Sequence, residues 1–378
     1  MKLAEQFPVI DRHVWLNHAA ISPWPAAVSD ALTDFVADHT RRGPLGYGRW
    51  LEIEARLRHR ACQLLAADSS DDIALVANTS TGLNRIARGL DWISGDSVVF
   101  PANDFPSNRL PWMALEDIGV KAHAVELNQH DPERALIAAI GPSTRVLSVS
   151  SVQYDTGMRL DLERLGAACR RHGVLFCIDA IQHLGALPLD VEQAGADFVI
   201  SGSHKWLMAP EGLAIFWSRP EAREQLRVVD SGWRMVPEPF DFGHEDYLGS
   251  ESAVRFEPGT LNTAGIIGLD AAIGLLLDHD PQDSAEQLLN LTDRLTEGLM
   301  KIPGVGLTSP IERERRAGIV SFRIAGISAE EVTTALTMRD IHAATRGQRV
   351  RLSPHFYTPI AQIEQTLECI AELAASRT

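Results

Sequence analysis

The segment ADFVISGSHKW, residues 196–206, joins a short apolar run to a polar turn that holds a lysine between a histidine and a tryptophan. The run predicts a buried strand, so Lys205 stands where that strand leaves the core. Lysine is seldom buried, and the simplest interpretation is that its side chain reaches solvent. A partly desolvated lysine, however, loses its proton readily and becomes an amine nucleophile. The neighbouring sequence decides between these two interpretations.

The segment belongs to a regular alternation of apolar runs and helical patterns over residues 70–217. Strands that are apolar throughout and alternate with helices are typical of a parallel sheet covered on both faces. We therefore predict an α/β fold built on a mainly parallel seven-stranded sheet. The predicted strands are 73–77, 97–102, 121–127, 145–152, 175–179, 197–201 and 213–217.

The composition is that of an acidic chain with enough apolar residues for two domains. It has 378 residues, 45% of them hydrophobic, and a net charge of −15, which argues against nucleic acid or an anionic membrane as a partner. The most apolar late stretch is interrupted by Asp270, and the N-terminus lacks the apolar region of a signal peptide. The four cysteines show neither paired nor metal-ligand spacing, so we predict no metal site from them. Reduced thiols and the missing targeting signals predict a cytoplasmic protein.

We predict a division of the chain into two domains. The large domain spans residues 21–269 and contains the sheet, and the small C-terminal domain spans residues 270–378. The N-terminal segment 1–20 joins them. The smaller unit has an α+β pattern, with candidate strands GIVSFRI and RVRLS and a final helical segment.

Two hydroxyl residues follow the first predicted strand. Thr79 and Ser80 belong to the sequence NTSTG, residues 78–82, which opens a helix. Free N–H groups at the start of a helix, together with hydroxyls, form a cradle for an anion. Threonine and serine are also ordinary N-cap residues, and taken alone this segment favours capping.

An aspartate and a histidine stand at the ends of two later strands. Asp179 ends the run LFCI, and a carboxylate buried there is costly unless a cation pairs with it. His204 directly precedes Lys205. Taken alone, Asp179 is better interpreted as a helix cap, and His204 as a hydrogen-bonded structural histidine rather than a metal ligand.

These strand ends meet at the edge of the sheet where open α/β sheets bind their ligands. The edge combines an anion cradle, a buried carboxylate and a lysine that can act as a nucleophile. Pyridoxal phosphate (PLP) needs a phosphate site, an acid that keeps its pyridine nitrogen protonated, and an amine for a Schiff base. All three features are far less likely to occur together by accident than any one of them alone. We therefore predict PLP as the cofactor and Lys205 as the catalytic residue that carries it.

From WLNHAAISP to VRLSPHFYTP, nearly the whole chain resembles the class V aminotransferase family. This is a fold-type I group of PLP-dependent enzymes that includes cysteine desulfurases, selenocysteine lyase, kynureninase and isopenicillin N epimerase-like enzymes. The family pattern D-x-x-Q stands here as Asp179 to Gln182, and its S-x-H-K neighbourhood as SGSHKW. The resemblance implies that Asp179 pairs with the pyridinium nitrogen and Gln182 with the ring hydroxyl. It also implies that Lys205 forms the internal aldimine and that His204 helps to bind the phosphate.

The resemblance implies further cofactor contacts. NTSTGLN is similar to the phosphate loop, which gives Thr79 and Ser80 that role. DFPSNRLPW is similar to the segment whose aromatic residue, often histidine, lies on the cofactor ring. Phe105 stands there, which keeps the stacking surface and removes a proton carrier. EPGTL is similar to the loop whose threonine, here Thr260, reaches the cofactor phosphate of the other subunit, which implies a homodimer with shared active sites.

Arg351 in VRLS is similar to the family arginine that binds the α-carboxylate of an amino acid substrate. A guanidinium fork suits that task, and the alternative is a solvated strand arginine like Arg349. In SVQYDTG, where the family often has an asparagine, Gln153 and Tyr154 both remain candidates for a contact near the ring hydroxyl.

The reaction type is the least determined point. Family members that move sulfur as a persulfide use a cysteine just before the substrate-binding arginine, and residues 341–351 contain none. We therefore expect an enzyme that is not a cysteine desulfurase, and transamination as its reaction. The alternatives are β-elimination by a C–S lyase and epimerisation. A PLP-binding regulator ranks behind these, because few residues precede LNHAA and the charge is wrong for DNA.

Overall fold

A computed structural model describes residues 3–127, 130–243 and 249–376 of the chain. The N-terminal part contributes a short strand and two long helices: β1 (Val14–Trp15), α1 (Ala26–Arg42) and α2 (Tyr47–Leu64). Helix α2 buries Leu57, Ala61 and Leu64 along one face. Their spacing of four and three residues is that of an amphipathic helix resting on a core.

The central sheet has seven strands. They are β2 (Ile73–Val76), β3 (Ser97–Pro101), β4 (Lys121–Val125), β5 (Thr144–Ser150), β6 (Leu175–Asp179), β7 (Phe198–Gly202) and β8 (Ala214–Ser218). Their order across the sheet is β2–β8–β7–β6–β5–β3–β4. The predicted α/β fold with a mainly parallel seven-stranded sheet is confirmed.

Strand β8 runs antiparallel to both of its neighbours, β2 and β7, whereas β3 to β7 pair in parallel. The sequence gives no sign of this reversal, because β8 is buried along its whole length and a buried apolar run looks the same in either direction. The carboxyl ends of β2 to β7 therefore share one edge of the sheet.

Helices pack against both faces of this sheet. They are α3 (Thr79–Gly89), α4 (Leu110–Met113), α5 (Pro132–Ala139), α6 (Leu162–His172), α7 (Val191–Ala194) and α8 (Pro220–Arg223). Side chains alternate between two cores: along β7, Phe198 and Ile200 pack in one core and Val199 in the other. Burial on both faces explains why the inner strands are apolar throughout, whereas the edge strand β4 contains Lys121 and His123 and is largely exposed.

The C-terminal part forms a second, smaller sheet. Its elements are α9 (Thr263–Asp278), α10 (Pro281–Met300), β9 (Val305–Leu307), β10 (Val320–Ile324), α11 (Ala329–Thr337), β11 (Ile341–His342), β12 (Ala344–Arg346), β13 (Arg349–Leu352) and α12 (Ile360–Ala375). Four of the strands pair antiparallel in the order β12–β13–β10–β9. Helices α10, α11 and α12 bury apolar side chains against them in a third core.

The predicted boundary between residues 269 and 270 falls inside α9. Ile273 and Leu276, beyond that boundary, pack in the core of the large sheet. We keep the two-domain division as a proposal and place its boundary after α9, because a helix buried along its length against one core belongs to that core.

The N-terminal segment crosses to the smaller sheet. Strand β1 pairs in parallel with β11, and Asn17 forms an isolated bridge with Ser353. Within the described residues, no helix combines the length and the apolar character that a bilayer crossing needs.

Candidate active site

The start of α3 forms the first part of the site. Asn78 caps the helix, and its Oδ1 accepts hydrogen bonds from the backbone N–H of Thr81 at 2.8 Å and from its hydroxyl at 3.0 Å. Thr79 and Ser80 occupy the first helical positions, whose N–H groups have no acceptor within a helix. The Ser80 hydroxyl contacts Ser107 Oγ at 2.7 Å, whereas the buried Oγ1 of Thr79 has no partner among the residues described. The helix start therefore offers the donors that an anion requires.

Two glycines allow close approach around this helix start. A Cβ on Gly82 would come within 2.9 Å of Ile200, so a side chain there would push α3 away from β7. A Cβ on Gly202 would lie 3.3 Å from both Thr79 Oγ1 and His204 Cε1. Thr79 and His204 therefore meet around Gly202 at the end of β7, which is the arrangement that a shared phosphate ligand requires.

Lys205 and Asp179 follow neighbouring parallel strands, and both are buried, at 9% and 2% exposure. Burial is the main cause that lowers the pKa of Lys205; Asp179 opposes the change, and the positive charges of Arg351 and Arg346 add to it. Burial likewise raises the pKa of Asp179. The amine of Lys205 is thus more readily neutral than that of an ordinary lysine, as the nucleophile interpretation requires.

A buried aspartate fixes the loop that carries Phe105. Asp104 accepts hydrogen bonds from the backbone N–H of Phe105 at 2.7 Å and from the hydroxyl of Ser150 at 2.6 Å. Ser150 in turn pairs with Asp179 between β5 and β6. The Phe105 ring lies beside Lys205, whose Nζ is 5.5 Å from the ring centroid. The ring thus presents a flat apolar face next to the lysine, and its stacking role stays a prediction.

Arg351 is a buried cation whose guanidinium has hydrogen-bond partners for only part of its N–H groups among the described residues. Its Nη1 donates to the carbonyl of Tyr154 at 2.7 Å, while its buried Nε and Nη2 find no partner in the described part of the chain. Burial lowers the pKa of Arg351 to about 9, the positive charge of Arg346 adds to this, and Asp155 opposes it only in part. Arg349, the comparison residue of the sequence analysis, is paired with Asp155 at 2.9 Å.

Arg346 is a site residue that the sequence analysis missed. Arg346 pairs with Arg349, and Ala344 with Arg351, so the three arginines project from one face of the β12–β13 hairpin. Arg346 Nη1 donates to the carbonyl of Thr345 at 2.7 Å. The alternation of arginines in TRGQRVR could have indicated this face, but only once a hairpin turn at residues 347 and 348 is assumed.

Gln182 is held from two sides. Trp206 Nε1 donates to Gln182 Oε1 at 2.8 Å, and Gln182 Nε2 donates to the carbonyl of Ala19 at 3.0 Å. One N–H of the amide is left for a further acceptor. Neither contact could be predicted from the sequence, since Ala19 lies 163 residues and Trp206 lies 24 residues from Gln182.

Three further residues from the sequence prediction, Thr260, Gln153 and Tyr154, have no described contact with Lys205. Thr260 is exposed on the loop that precedes α9. Gln153 is buried, and its Nε2 has no partner in the described ranges. Tyr154 packs edge-on against Phe105, with ring centroids 5.3 Å apart. Tyr154 thus contacts a residue beside the lysine, and no described contact joins Gln153 to Lys205 or Phe105, so the question between the two stays open.

These residues fit PLP. The free hydroxyl of Thr79 and the first N–H groups of α3 suit the phosphate, and the Phe105 face suits the ring. Asp179 ends β6, between β5 and the strand β7 that leads to Lys205, where its carboxylate suits a protonated pyridine nitrogen. The unpaired atoms of Arg351 suit the carboxylate of an amino acid.

Comparisons with known proteins identify the family. The profile of the family described as Aminotransferase class-V matches residues 14–366. A relative named probable cysteine desulfurase, from Methanothermobacter thermautotrophicus, is 28% identical over 97% of this chain and 96% of its own. A mutant of C-DES with glycine covalently linked to the PLP cofactor superposes with a TM-score of 0.92, at 23% identity over 98% of this chain and all of that one. The complex of the cystine C–S lyase C-DES with its product cysteine persulfide superposes with a TM-score of 0.90, at 24% identity over 97% and 99% of the two chains.

The expectation of an aminotransferase that is not a cysteine desulfurase is contradicted by the name of the curated relative. Residues 341–351 do lack a cysteine, but that absence does not exclude C–S cleavage. The bond breaks on the substrate, and the sulfur can leave on a thiol outside the chain. The chain belongs to the class V aminotransferase family and is a pyridoxal-phosphate-dependent enzyme.

Proposed function

We propose that this enzyme cleaves the C–S bond of cysteine or a cysteine-derived amino acid, with PLP carried on Lys205. The observation that carries the proposal is a buried Lys205 under the electrostatic influence of Asp179 and Arg351, with Nε and Nη2 of that arginine unpaired among the described residues, in a chain that aligns over 97% of its length with a protein named probable cysteine desulfurase. The cystine C–S lyase activity named for C-DES supports the same reaction class.

The residues that would hold the cofactor follow from their positions. Thr79, Ser80 and His204 bind the phosphate, and Phe105 covers one face of the ring. Asp179 holds the proton at the pyridine nitrogen, and Gln182 donates its remaining N–H to the ring oxygen. When bound, the cofactor supplies an electron sink that stabilises negative charge at the α-carbon of the substrate.

The chain itself positions the substrate and moves the proton. Arg351 would bind the α-carboxylate through its unpaired Nε and Nη2, which holds the amino acid in one orientation in the site. Lys205 then removes the α-proton, because its lowered pKa makes a neutral amine available. In β-elimination, the bond between the β-carbon and sulfur would break with its electron pair leaving on the sulfur, so that cysteine yields sulfide, cystine yields cysteine persulfide, and hydrolysis of the remaining fragment gives pyruvate and ammonia. In desulfuration, the sulfur of cysteine would instead pass to an added thiol, which becomes a persulfide while alanine is formed.

We propose that the enzyme is a homodimer with shared sites. The exposed position of Thr260 supports this, because a second copy could reach it. A cytoplasmic location also stays a proposal, resting on the charge and the cysteine usage.

A product assay tests the reaction. Purified holoenzyme is given L-cysteine, L-cystine or L-alanine, with and without an α-keto acid, and sulfide, persulfide, alanine, pyruvate and ammonia are measured. We expect sulfur release from a sulfur-containing substrate without any keto acid, and no release by Lys205→Ala. Alanine as the co-product would indicate desulfuration, and pyruvate as the co-product would indicate β-elimination. Amino-group exchange that requires the keto acid, with no sulfur released, would contradict the proposal.

A further inference from the structure

Three side chains away from the active site bring metal-binding atoms together where the N-terminal segment meets the smaller sheet. Nδ1 of His13 lies 3.3 Å from Oδ1 of Asp340, and Nε2 of His342 lies 4.0 Å from the same oxygen. One ligand atom from each residue falls within 4.8 Å of the other two. We propose that His13, Asp340 and His342 bind a divalent transition-metal ion, with Zn²⁺ as the best match.

The ligand types and spacing suit zinc. Zinc takes histidine nitrogen and carboxylate oxygen at about 2.0–2.2 Å, and a tetrahedral site then separates ligand atoms by about 3.3–3.5 Å. The distance from His13 Nδ1 to Asp340 Oδ1 already has this value, and the other two separations, 4.0 Å from His342 Nε2 to Asp340 Oδ1 and at most 4.8 Å between the two imidazoles, would shorten when an ion binds. Asp340 is 70% exposed in its side chain, which leaves room for water in the fourth position.

The backbone holds the three residues in place. Val14 N donates to the carbonyl of Asp340 at 2.9 Å, and Leu16 N donates to the carbonyl of His342 at the same distance. These bonds belong to the parallel pairing of β1 with β11. His342 lies in β11, and His13 and Asp340 directly precede β1 and β11, so the strand pairing fixes the backbone on which or beside which each ligand stands and limits the ordering needed when an ion binds.

A simple hydrogen bond between His13 and Asp340 does not account for His342. Its Nε2 is buried without a hydrogen-bond partner in the part of the chain that the structure describes. Its ring is confined between His13 and Trp15, with centroids 5.2 and 5.1 Å away. A buried nitrogen that faces a carboxylate and a second imidazole is explained by an ion that all three share.

Binding would fasten the N-terminal segment to the smaller sheet. That segment continues from β1 to Ala19, whose carbonyl accepts the bond from Gln182. The ion would therefore stiffen the support of an active-site residue without touching the site. The expected readouts are metal binding and thermal stability, which do not depend on the proposed reaction.

The experiment uses holoenzyme dialysed against a chelator and then titrated with ZnCl₂ and, separately, CoCl₂. Asp340→Asn is the main variant, because asparagine tolerates the φ of +57° at this position and can still accept a bond from His13. His172→Asn, which changes an exposed histidine at the end of α6, is the control.

The wild type and His172→Asn should each bind one more equivalent of Zn²⁺ tightly than Asp340→Asn does. In Asp340→Asn, the affinity of this site for Zn²⁺ should be weaker by about tenfold or more. Zn²⁺ should raise the melting temperature of the first two proteins only, and Co²⁺ should give the absorption of a tetrahedral site only in them. Equal binding by Asp340→Asn, or no binding by the wild type, would overturn the proposal.

Discussion

The indole N–H of Trp206 donates a 2.8 Å hydrogen bond to the side-chain carbonyl of Gln182. The residue that follows the lysine thus orients an amide on the adjacent strand end. Trp206 is fully buried, so its position is fixed by packing as well as by this bond. The bond sets which end of the Gln182 amide is free to donate, and a donor there is what the ring oxygen of PLP requires.

Trp206→Phe should weaken cofactor binding by about fivefold, because one hydrogen bond contributes roughly 1 kcal/mol and the freed amide can rotate. The measurement is the PLP dissociation constant of the apoenzyme. Trp217→Phe is the matched control, since Trp217 is also buried but its Nε1 has no partner among the described residues. Equal losses in both variants would show that packing alone explains the effect.

Asp179→Asn should reduce kcat by about a hundredfold or more, because the amide cannot hold the pyridine nitrogen protonated. Phe105→His should cost far less, since either ring can lie on the cofactor. Steady-state kinetics of C–S cleavage, with both variants loaded with PLP, make the comparison. Similar losses in the two variants would contradict the assigned roles.

The large sheet was predictable because each strand carries its own signal. Apart from the exposed edge strand β4, the strands β2 to β7 are apolar runs, and Lys205 stands out as a charged residue just after one of them. The direction of β8 was not predictable, since a strand buried on both faces has no polar side to reveal its neighbours.

Contacts between distant parts of the chain could not be predicted from the sequence. His13 and Asp340 are 327 residues apart, and a metal site assembled from single ligands leaves no spacing motif. In the same way, Arg351 Nη1 donates to the carbonyl of Tyr154, 197 residues away, while Nε and Nη2 are left without a partner among the described residues. Such properties follow from how the two sheets meet, not from any local pattern.

Arg351→Gln should raise KM about tenfold to a hundredfold with a smaller change in kcat, because a charge-assisted bond to the α-carboxylate contributes about 1.5–3 kcal/mol. Arg351→Lys should recover part of the affinity, since it keeps the charge but not the fork. Arg323→Gln, at an exposed position of β10, is the control. An unchanged KM in Arg351→Gln would remove this residue from the substrate site.

The rate at which the apoenzyme binds PLP covalently should rise with pH. This rate should reach its plateau at a lower pH than the range in which an exposed lysine loses its proton. The neutral amine attacks the aldehyde, and burial lowers the pKa of Lys205. Arg346 also lowers this pKa, so Arg346→Gln should move the rise to higher pH, while Arg323→Gln should not. Stopped-flow absorbance between about pH 6 and 10 measures the profile. A rise that begins only where free lysine titrates would contradict the lowered pKa.

Mixing two inactive variants tests the shared site. Lys205→Ala lacks the amine, and Thr260→Asp places a negative charge where the partner's phosphate is expected. In a heterodimer, one of the two sites contains the wild-type lysine from one subunit and the wild-type threonine from the other. Random exchange should therefore restore about a quarter of wild-type activity, because half of the dimers are mixed and each has one intact site. Mass-resolved detection of the mixed dimer provides the control for exchange. If mixed dimers form and no activity returns, Thr260 does not serve the site of a second subunit. If Thr260→Asp alone is fully active, the residue does not face a phosphate at all.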